Sequence, residues 1–197
     1  EVAPDYRGGH TDRNALLPTH GGTVKPTARY PAGASAGLAS DRRDVLLVGF
    51  EATTDFDAEH AAAHLEAAGV PFDARGATIR FPGDLQADAK VTRYAKLLDT
   101  DGEVSVRGAP RPARDALADR VNTVHDGEAR VGLPAVLGDD HAAAVRARLE
   151  ERIGAEVFEV PSGPPSLPGL RLEDALFAAL DEAGASIETG NPVVDYD

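Results

Sequence analysis

The side chains best placed to meet a ligand sit around one stiff loop. Pro161-Ser162-Gly163-Pro164-Pro165-Ser166-Leu167-Pro168-Gly169-Leu170-Arg171-Leu172 joins the apolar run Ala155 to Val160 to a helix-like run from Glu173 to Ala183. Prolines and glycines at this density do not continue a strand or a helix interior. The segment therefore reads as a fixed loop, with a helix opening near Arg171. Ligands of α/β proteins gather where strands end and helices begin. Ser166 offers a hydroxyl there, and Arg171 offers a planar cation that matches phosphate or carboxylate. Arg171 is equally placed to pair with Glu173 or Asp174.

A second candidate is Thr23-Val24-Lys25-Pro26-Thr27-Ala28-Arg29. In an extended strand, Lys25, Thr27 and Arg29 point to one face. Two cations and a hydroxyl on one face suit an anion, against the plainer reading of a solvated strand. His60 and His64 stand four apart on one helix face, a spacing that can hold a metal. No third ligand accompanies them, and a solvated face accounts for them better, so no metal site is assigned. Asp139-Asp140-His141 reads as a helix cap in which the acids favour the helix dipole. No G-x-G-x-x-G follows any strand and no P-loop exists, so no dinucleotide fingerprint is present. No catalytic residue is identifiable from spacing.

Composition narrows the setting. Acids number 33 against 20 basic residues, a net charge of −13. Of those bases, only Lys25, Lys90 and Lys96 are lysines. A carboxylate-rich, lysine-poor surface resembles that of proteins of salt-loving archaea, kept hydrated by their charge. The alternative is a GC-rich genome, which also favours Arg, Ala, Asp and Gly codons; the acid excess favours the salt-adapted reading. The sign argues against nucleic acid, which needs clustered cations. Cysteine is absent, which excludes disulfides, thiolate zinc and a Cys nucleophile. No apolar run reaches the ~18 residues of a membrane span and no signal peptide is present, so a cytoplasmic protein is expected. Methionine is absent even at position 1, so a piece of a longer protein is expected.

The elements that must position these residues alternate. Residues 44–50 read as a buried strand. A helix capped by Asp55 or Asp57 runs to Ala68, with a stripe of Ala58, Ala61, Ala62, Leu65 and Ala68. Residues 70–74 and 77–81 read as strands around a turn at Arg75-Gly76. Helices are expected over 88–98 and 113–124, with a turn at Gly108–Pro112 between them. Residues 129–138 form a strand that Pro134 interrupts or ends. A helix capped by Asp139 or Asp140 runs to Ile153, then come the 155–160 strand, the proline loop, the 171–183 helix and a last strand pair near Ile187 and Val193. Tyr30 to Asp41 reads as flexible. The expected fold is α/β: alternating strands and helices, with a largely parallel central sheet and helices on both faces. The expected division is an irregular Gly/Pro-rich leading segment over 1–43, an α/β insert domain over 44–184 and a return strand over 185–197.

The order Val131-Gly132-Leu133-Pro134-Ala135-Val136-Leu137-Gly138, Val157-Phe158-Glu159-Val160-Pro161, Pro164-Pro165-Ser166 and Gly169-Leu170-Arg171-Leu172 resembles the B subunit of the anaerobic glycerol-3-phosphate dehydrogenases. Leu46 to Phe50, Asp55 to Ala58, Arg93 to Asp99 and Thr19 to Arg29 are similar to the same family in order and spacing. The resemblance implies a flavoprotein, with FAD or FMN in the full-length subunit and none in this fragment. It implies oxidation of sn-glycerol 3-phosphate to dihydroxyacetone phosphate, with electrons passed to quinone. It also implies a catalytic flavoprotein subunit and a membrane-associated iron–sulfur subunit as partners, which would hold the complex at the inner face of the membrane. The isolated fragment would be inactive. Lys25, Thr27, Arg29, Ser166 and Arg171 are then the candidates for substrate or anion binding. The alternatives are a non-catalytic assembly module of that complex and an unrelated flavodoxin-like binding domain.

The acid excess generates a direct expectation. The unfolding temperature should rise as KCl is raised from dilute to molar, because salt screens self-repulsion. A flat or falling melting curve series would refute the salt-adapted reading.

Overall fold

The structure, a computed structural model, describes residues 5–9, 13–53, 55–83, 91–163, 166–187 and 190. Four short strands open the described chain: β1 (Tyr6–Gly8), β2 (Ala15–Pro18), β3 (Val24–Thr27) and β4 (Arg29–Pro31). β1 pairs with β4 and β2 with β3, both antiparallel. A 3-10 turn, Ala32–Gly37, follows. Among its described residues, the leading segment therefore carries two short antiparallel strand pairs and a 3-10 turn where irregular chain was expected.

The central unit is β5 (Val45–Phe50), α1 (Ala58–Ala67), β6 (Ala74–Ile79), α2 (Val91–Asp99), β7 (Glu103–Val106), β8 (Ala109–Pro112), α3 (Ala113–Val121), β9 (Arg130–Pro134), α4 (Ala142–Ile153), β10 (Glu156–Val160) and α5 (Leu167–Glu182). Among the described residues, β10, β9, β5 and β6 lie in that order in one parallel sheet. The chain crosses from β5 to β6 through α1, then returns past β5 to β9, so the order reverses between β5 and β9.

Every residue of β5 is buried, because both faces of the sheet are covered. Leu46, Val48 and Phe50 meet α2, α3 and α4 through Tyr94, Leu98, Leu117, Val145 and Leu149. Val45 and Leu47 face α1 and its stripe of Ala58, Ala61, Ala62 and Leu65. Small residues let α1 lie close to the sheet, and Ala68, the helix C-cap, is exposed. The expected α/β fold with helices on both faces is the observed one.

Local corrections follow from this packing. Residues 74–79 form one strand with no turn at Arg75-Gly76. Gly76 is needed inside it because a Cβ there would lie 2.3 Å from the Ala58 carbonyl oxygen and the Glu59 Cα. The segment expected as a turn at Gly108–Pro112 is the second strand of the β7–β8 hairpin, turned by Arg107 and Gly108, both at positive φ. Its prolines sit where an edge strand tolerates them. β9 does end at Pro134. Of the expected last strand pair, Ile187 is exposed and in no strand, while Val193 and Val194 lie outside the described residues.

Tyr30 to Asp41 is not loose. Arg130, fully buried at the start of β9, donates to the carbonyls of Ala36 (3.0 Å), Leu38 (3.1 Å), Asp41 (3.2 Å) and Arg43 (3.0 Å). Its guanidinium also lies 4.6 Å from the Phe72 ring centroid. Burial pulls its pKa down, opposed by Asp41. The side chain thus satisfies backbone acceptors that a glycine- and alanine-rich segment cannot satisfy by itself. Arg130→Met is expected to lower stability by about 2 kcal/mol or more, since several part-buried carbonyls lose their donor together. The check is the urea midpoint, and a midpoint equal to the parent's would show that the segment holds without it.

Candidate functional site

The carboxyl ends of β9 and β10 open into a cavity of about 550 Å³. Its walls come from β1, the 3-10 turn, the β9–α4 turn and the first turns of α5, and include Tyr6, Arg7, Asp139, Arg146, Glu159 and Arg171. This is the edge of a parallel sheet at which ligands collect.

An ion pair forms its floor. Glu159, 4% exposed, is an acid within the apolar alternation of β10. Its Oε1 accepts from the Leu137 amide (2.9 Å) and from Arg171 Nη2 (3.0 Å), and its Oε2 accepts from Arg171 Nη1 (2.7 Å). Arg171 Nε donates to the Gly138 carbonyl at 3.0 Å, and Nη2 donates to the same oxygen. Four of the five guanidinium N–H groups are so engaged. Burial works against the Arg171 charge, but Glu159, with help from Asp139 and Asp99, lifts its pKa above that of a free arginine.

The β9–α4 turn is held from a distance. Asp99, at the end of α2, accepts from the amides of Asp139 (2.7 Å), Asp140 (3.1 Å) and His141 (3.0 Å). The expected cap by Asp139 or Asp140 is therefore corrected. The N-cap is His141, it makes no side-chain cap bond, and the carboxylate comes from another helix. Gly138 permits this approach, with φ +89° and a hypothetical Cβ only 2.3 Å from Asp99 Oδ1. Asp140 and His141 bring ligand atoms within 4.8 Å of Asp99, whose oxygens are already taken by these amides.

Freed from capping, Asp139 turns to the cavity. Burial pushes its carboxyl up, Arg171 opposes, and Asp140, Asp174 and Asp99 push further up. The Tyr6 phenol is also raised by burial, with Arg171 opposing. The site thus combines a fixed cation with two groups whose protons are held more tightly than usual, an arrangement suited to hydrogen-bonding a polar, oxygen-rich ligand.

The structure separates the sequence candidates. Arg171 lies in the cavity wall, but its charge is committed to Glu159, not to Glu173 or Asp174. Ser166 is the N-cap of α5 and accepts from the Gly169 amide at 3.2 Å. The helix starts at Leu167, earlier than the expected 171, because Pro168 falls in the first turn, where no amide donor is needed. Lys25, Thr27 and Arg29 do not share one strand. β3 ends at Thr27, β4 begins at Arg29, and the two belong to different ladders, with Lys25 opposite Leu17 and Arg29 opposite Gly8. None of the three lines the cavity. His60 and His64 are exposed with ring centroids 4.0 Å apart, and His64 Nδ1 donates to the Gly21 carbonyl. Glu159 and Asp99 were missed, although an acid inside an apolar strand signals a buried cation partner.

The FAD binding domain family matches residues 3–191. The chain belongs to that family. Among its relatives, the B subunit of a probable anaerobic glycerol-3-phosphate dehydrogenase from Halobacterium salinarum is 69% identical over 99% of this chain and 46% of the relative. The B subunit of the anaerobic glycerol-3-phosphate dehydrogenase of Pectobacterium atrosepticum is 28% identical over 82% of this chain and 37% of the relative. That of Yersinia pestis is 27% identical over 94% of this chain and 43% of the relative. The resemblance carried by the proline loop is therefore real, and the salt-adapted composition agrees with a haloarchaeal relative. The chain spans about half the length of the curated relatives it matches. No solved structure matches it. Among the described residues, no helix is long and apolar enough to cross a membrane.

Membership in an FAD-binding family raises the question of where a flavin pyrophosphate would sit. A dinucleotide uses the amides of a glycine-rich turn at a helix N-terminus. After β5 that position is taken by Asp57, whose carboxylate accepts from the His60 amide at 2.9 Å. After β9 it is taken by Asp99. Both turns present a carboxylate where a phosphate would need donors, so neither fits the pyrophosphate.

The raised Asp139 pKa has a stability consequence with a definite sign. The folded protein holds this proton more tightly than the unfolded chain, so its contribution is present in acid and lost as pH rises through the folded value. Asp139→Asn is expected to raise the melting temperature at pH 7, with the difference vanishing below the ordinary aspartate range. A difference that persists in acid would assign the effect to packing instead.

Proposed function

We propose that this chain is part of the B subunit of an anaerobic sn-glycerol-3-phosphate dehydrogenase. The whole enzyme would oxidise glycerol 3-phosphate to dihydroxyacetone phosphate and pass the electrons to quinone. The observation that carries this is the 69% identity to a haloarchaeal relative of that name along essentially all of the chain. The cavity at the carboxyl edge of the sheet supports a role close to the reacting centre, in which this unit supplies one wall and excludes water. Its partners would be a catalytic flavoprotein subunit and a membrane-associated iron–sulfur subunit, with the complex peripheral to the membrane through the latter. FAD is the flavin that the family favours over FMN.

The assembly-module reading draws on different observations. Arg171 is engaged by Glu159 and Gly138, and the βα turns after β5 and β9 are closed by carboxylates. A segment so arranged can hold subunits in register without touching substrate. Titrating the full-length polypeptide with glycerol 3-phosphate separates the two, since an assembly module gives no heat of binding.

Arg171→Ala leaves Glu159 buried without its cation, a loss of about 3–5 kcal/mol. In the assembled complex, glycerol-3-phosphate-dependent quinone reduction should fall at least about tenfold, the equivalent of 1.4 kcal/mol in the barrier, or the altered subunit should dissociate. Unchanged turnover together with unchanged assembly would sink the proposal that this cavity serves the enzyme.

A further inference from the structure

We propose that the outer half of α5 is a docking surface for the flavin-holding remainder of its own full-length polypeptide. The proposal rests on reading the chain as part of a longer dehydrogenase subunit. α5 is about 24 Å long at the usual rise per residue. Its first turns are anchored by buried Leu167, by the Ser166 cap and by the Arg171–Glu159 pair. Beyond Ala175, which still lines the cavity, none of its residues is buried.

That outer half is not polar. Leu172, Leu176 and Leu180 recur every fourth residue and so share one stripe, with Phe177 beside it. Leu176 is 44% exposed, Phe177 45% and Leu180 40%. On a surface whose solubility comes from a charge of −13, three large apolar side chains on one helix mark an interface.

Two observations name the occupant. The relatives extend well beyond the matched part, which is 46% of the haloarchaeal one. The βα turns after β5 and β9 are closed by Asp57 and Asp99, which favours a flavin pyrophosphate held by polypeptide outside this sequence. For the cavity to face that flavin, the holding polypeptide has to approach the carboxyl edge, and α5 starts there. The apolar stripe then meets it directly, within the same chain and without a second copy.

The test uses the purified full-length polypeptide without its partner subunits. Hydrogen exchange over residues 172–182 should be slowed about a hundredfold relative to a variant carrying Leu176→Gln, Phe177→Gln and Leu180→Gln. The variant should also split a single melting transition into two, because the two parts uncouple. Fast exchange in the parent polypeptide, or a variant with unchanged exchange and melting, overturns the proposal. So does protection that grows with protein concentration, which would mean a second copy, or protection that appears only with partner subunits. Flavin absorbance on the same samples separates the two readings. Bound flavin with an unprotected α5 sinks the docking surface alone, whereas a parent polypeptide that takes up no flavin sinks the assignment to the dehydrogenase.

Discussion

The bidentate pair between Glu159 and Arg171 is the interaction on which the carboxyl edge of this protein depends. A carboxylate that is 4% exposed in an apolar strand carries a desolvation penalty that only a well-placed cation offsets. Arg171 supplies it from α5, and the pair also takes in the Leu137 amide and the Gly138 carbonyl of the β9–α4 turn. One ion pair thereby joins the end of a strand, the turn of its neighbour and the helix that follows. A hydrophobic pair of similar volume could match its stability, but it would not set the orientation of that turn.

The same turn is gripped from the other side by Asp99. Three amides converge on one carboxylate, which satisfies the exposed donors at the start of α4 and releases Asp139 into the cavity. Gly138 sits between the two grips, contributing its carbonyl to Arg171 and its missing side chain to Asp99. The consequence for function is exclusion as much as provision. A turn already bound to a carboxylate has no donors to spare for a pyrophosphate, although the family binds FAD. The turns after β5 and β9 are therefore shaped by carboxylates of this chain, and the cavity beside them is lined by its own acids and by Arg171.

Much of the fold was legible because it rests on local patterns. The fully apolar run 45–50, the alanine stripe of α1 and the glycine stops at Gly69 and Gly154 each follow from spacing and backbone preference, and each is observed. The failures share one cause. Gly76 looks like a turn until α1 is seen to press on it, Pro168 looks like a helix breaker until it falls in a first turn, and Tyr30 to Asp41 looks loose until Arg130 is seen to bind its carbonyls. In each case a partner far away in sequence reverses the local preference. The same holds for the site. Arg171 was found from its place after the proline loop, while Lys25 and Arg29 were grouped by an alternation that the break at Ala28 removes.

By itself the sequence determined the fold class, the acidic salt-adapted surface and, through the Pro-Pro-Ser…Gly-x-Arg-Leu order, the kinship with the dehydrogenase B subunits. These depend on composition and near-neighbour order, which survive in a linear reading. Only the tertiary structure decided that Arg171 is clamped to Glu159, that Asp99 caps a helix about 40 residues away and that the stripe on α5 is left uncovered. Those outcomes turn on which charges are desolvated together and which apolar faces find a partner, and burial is a property of the folded arrangement alone.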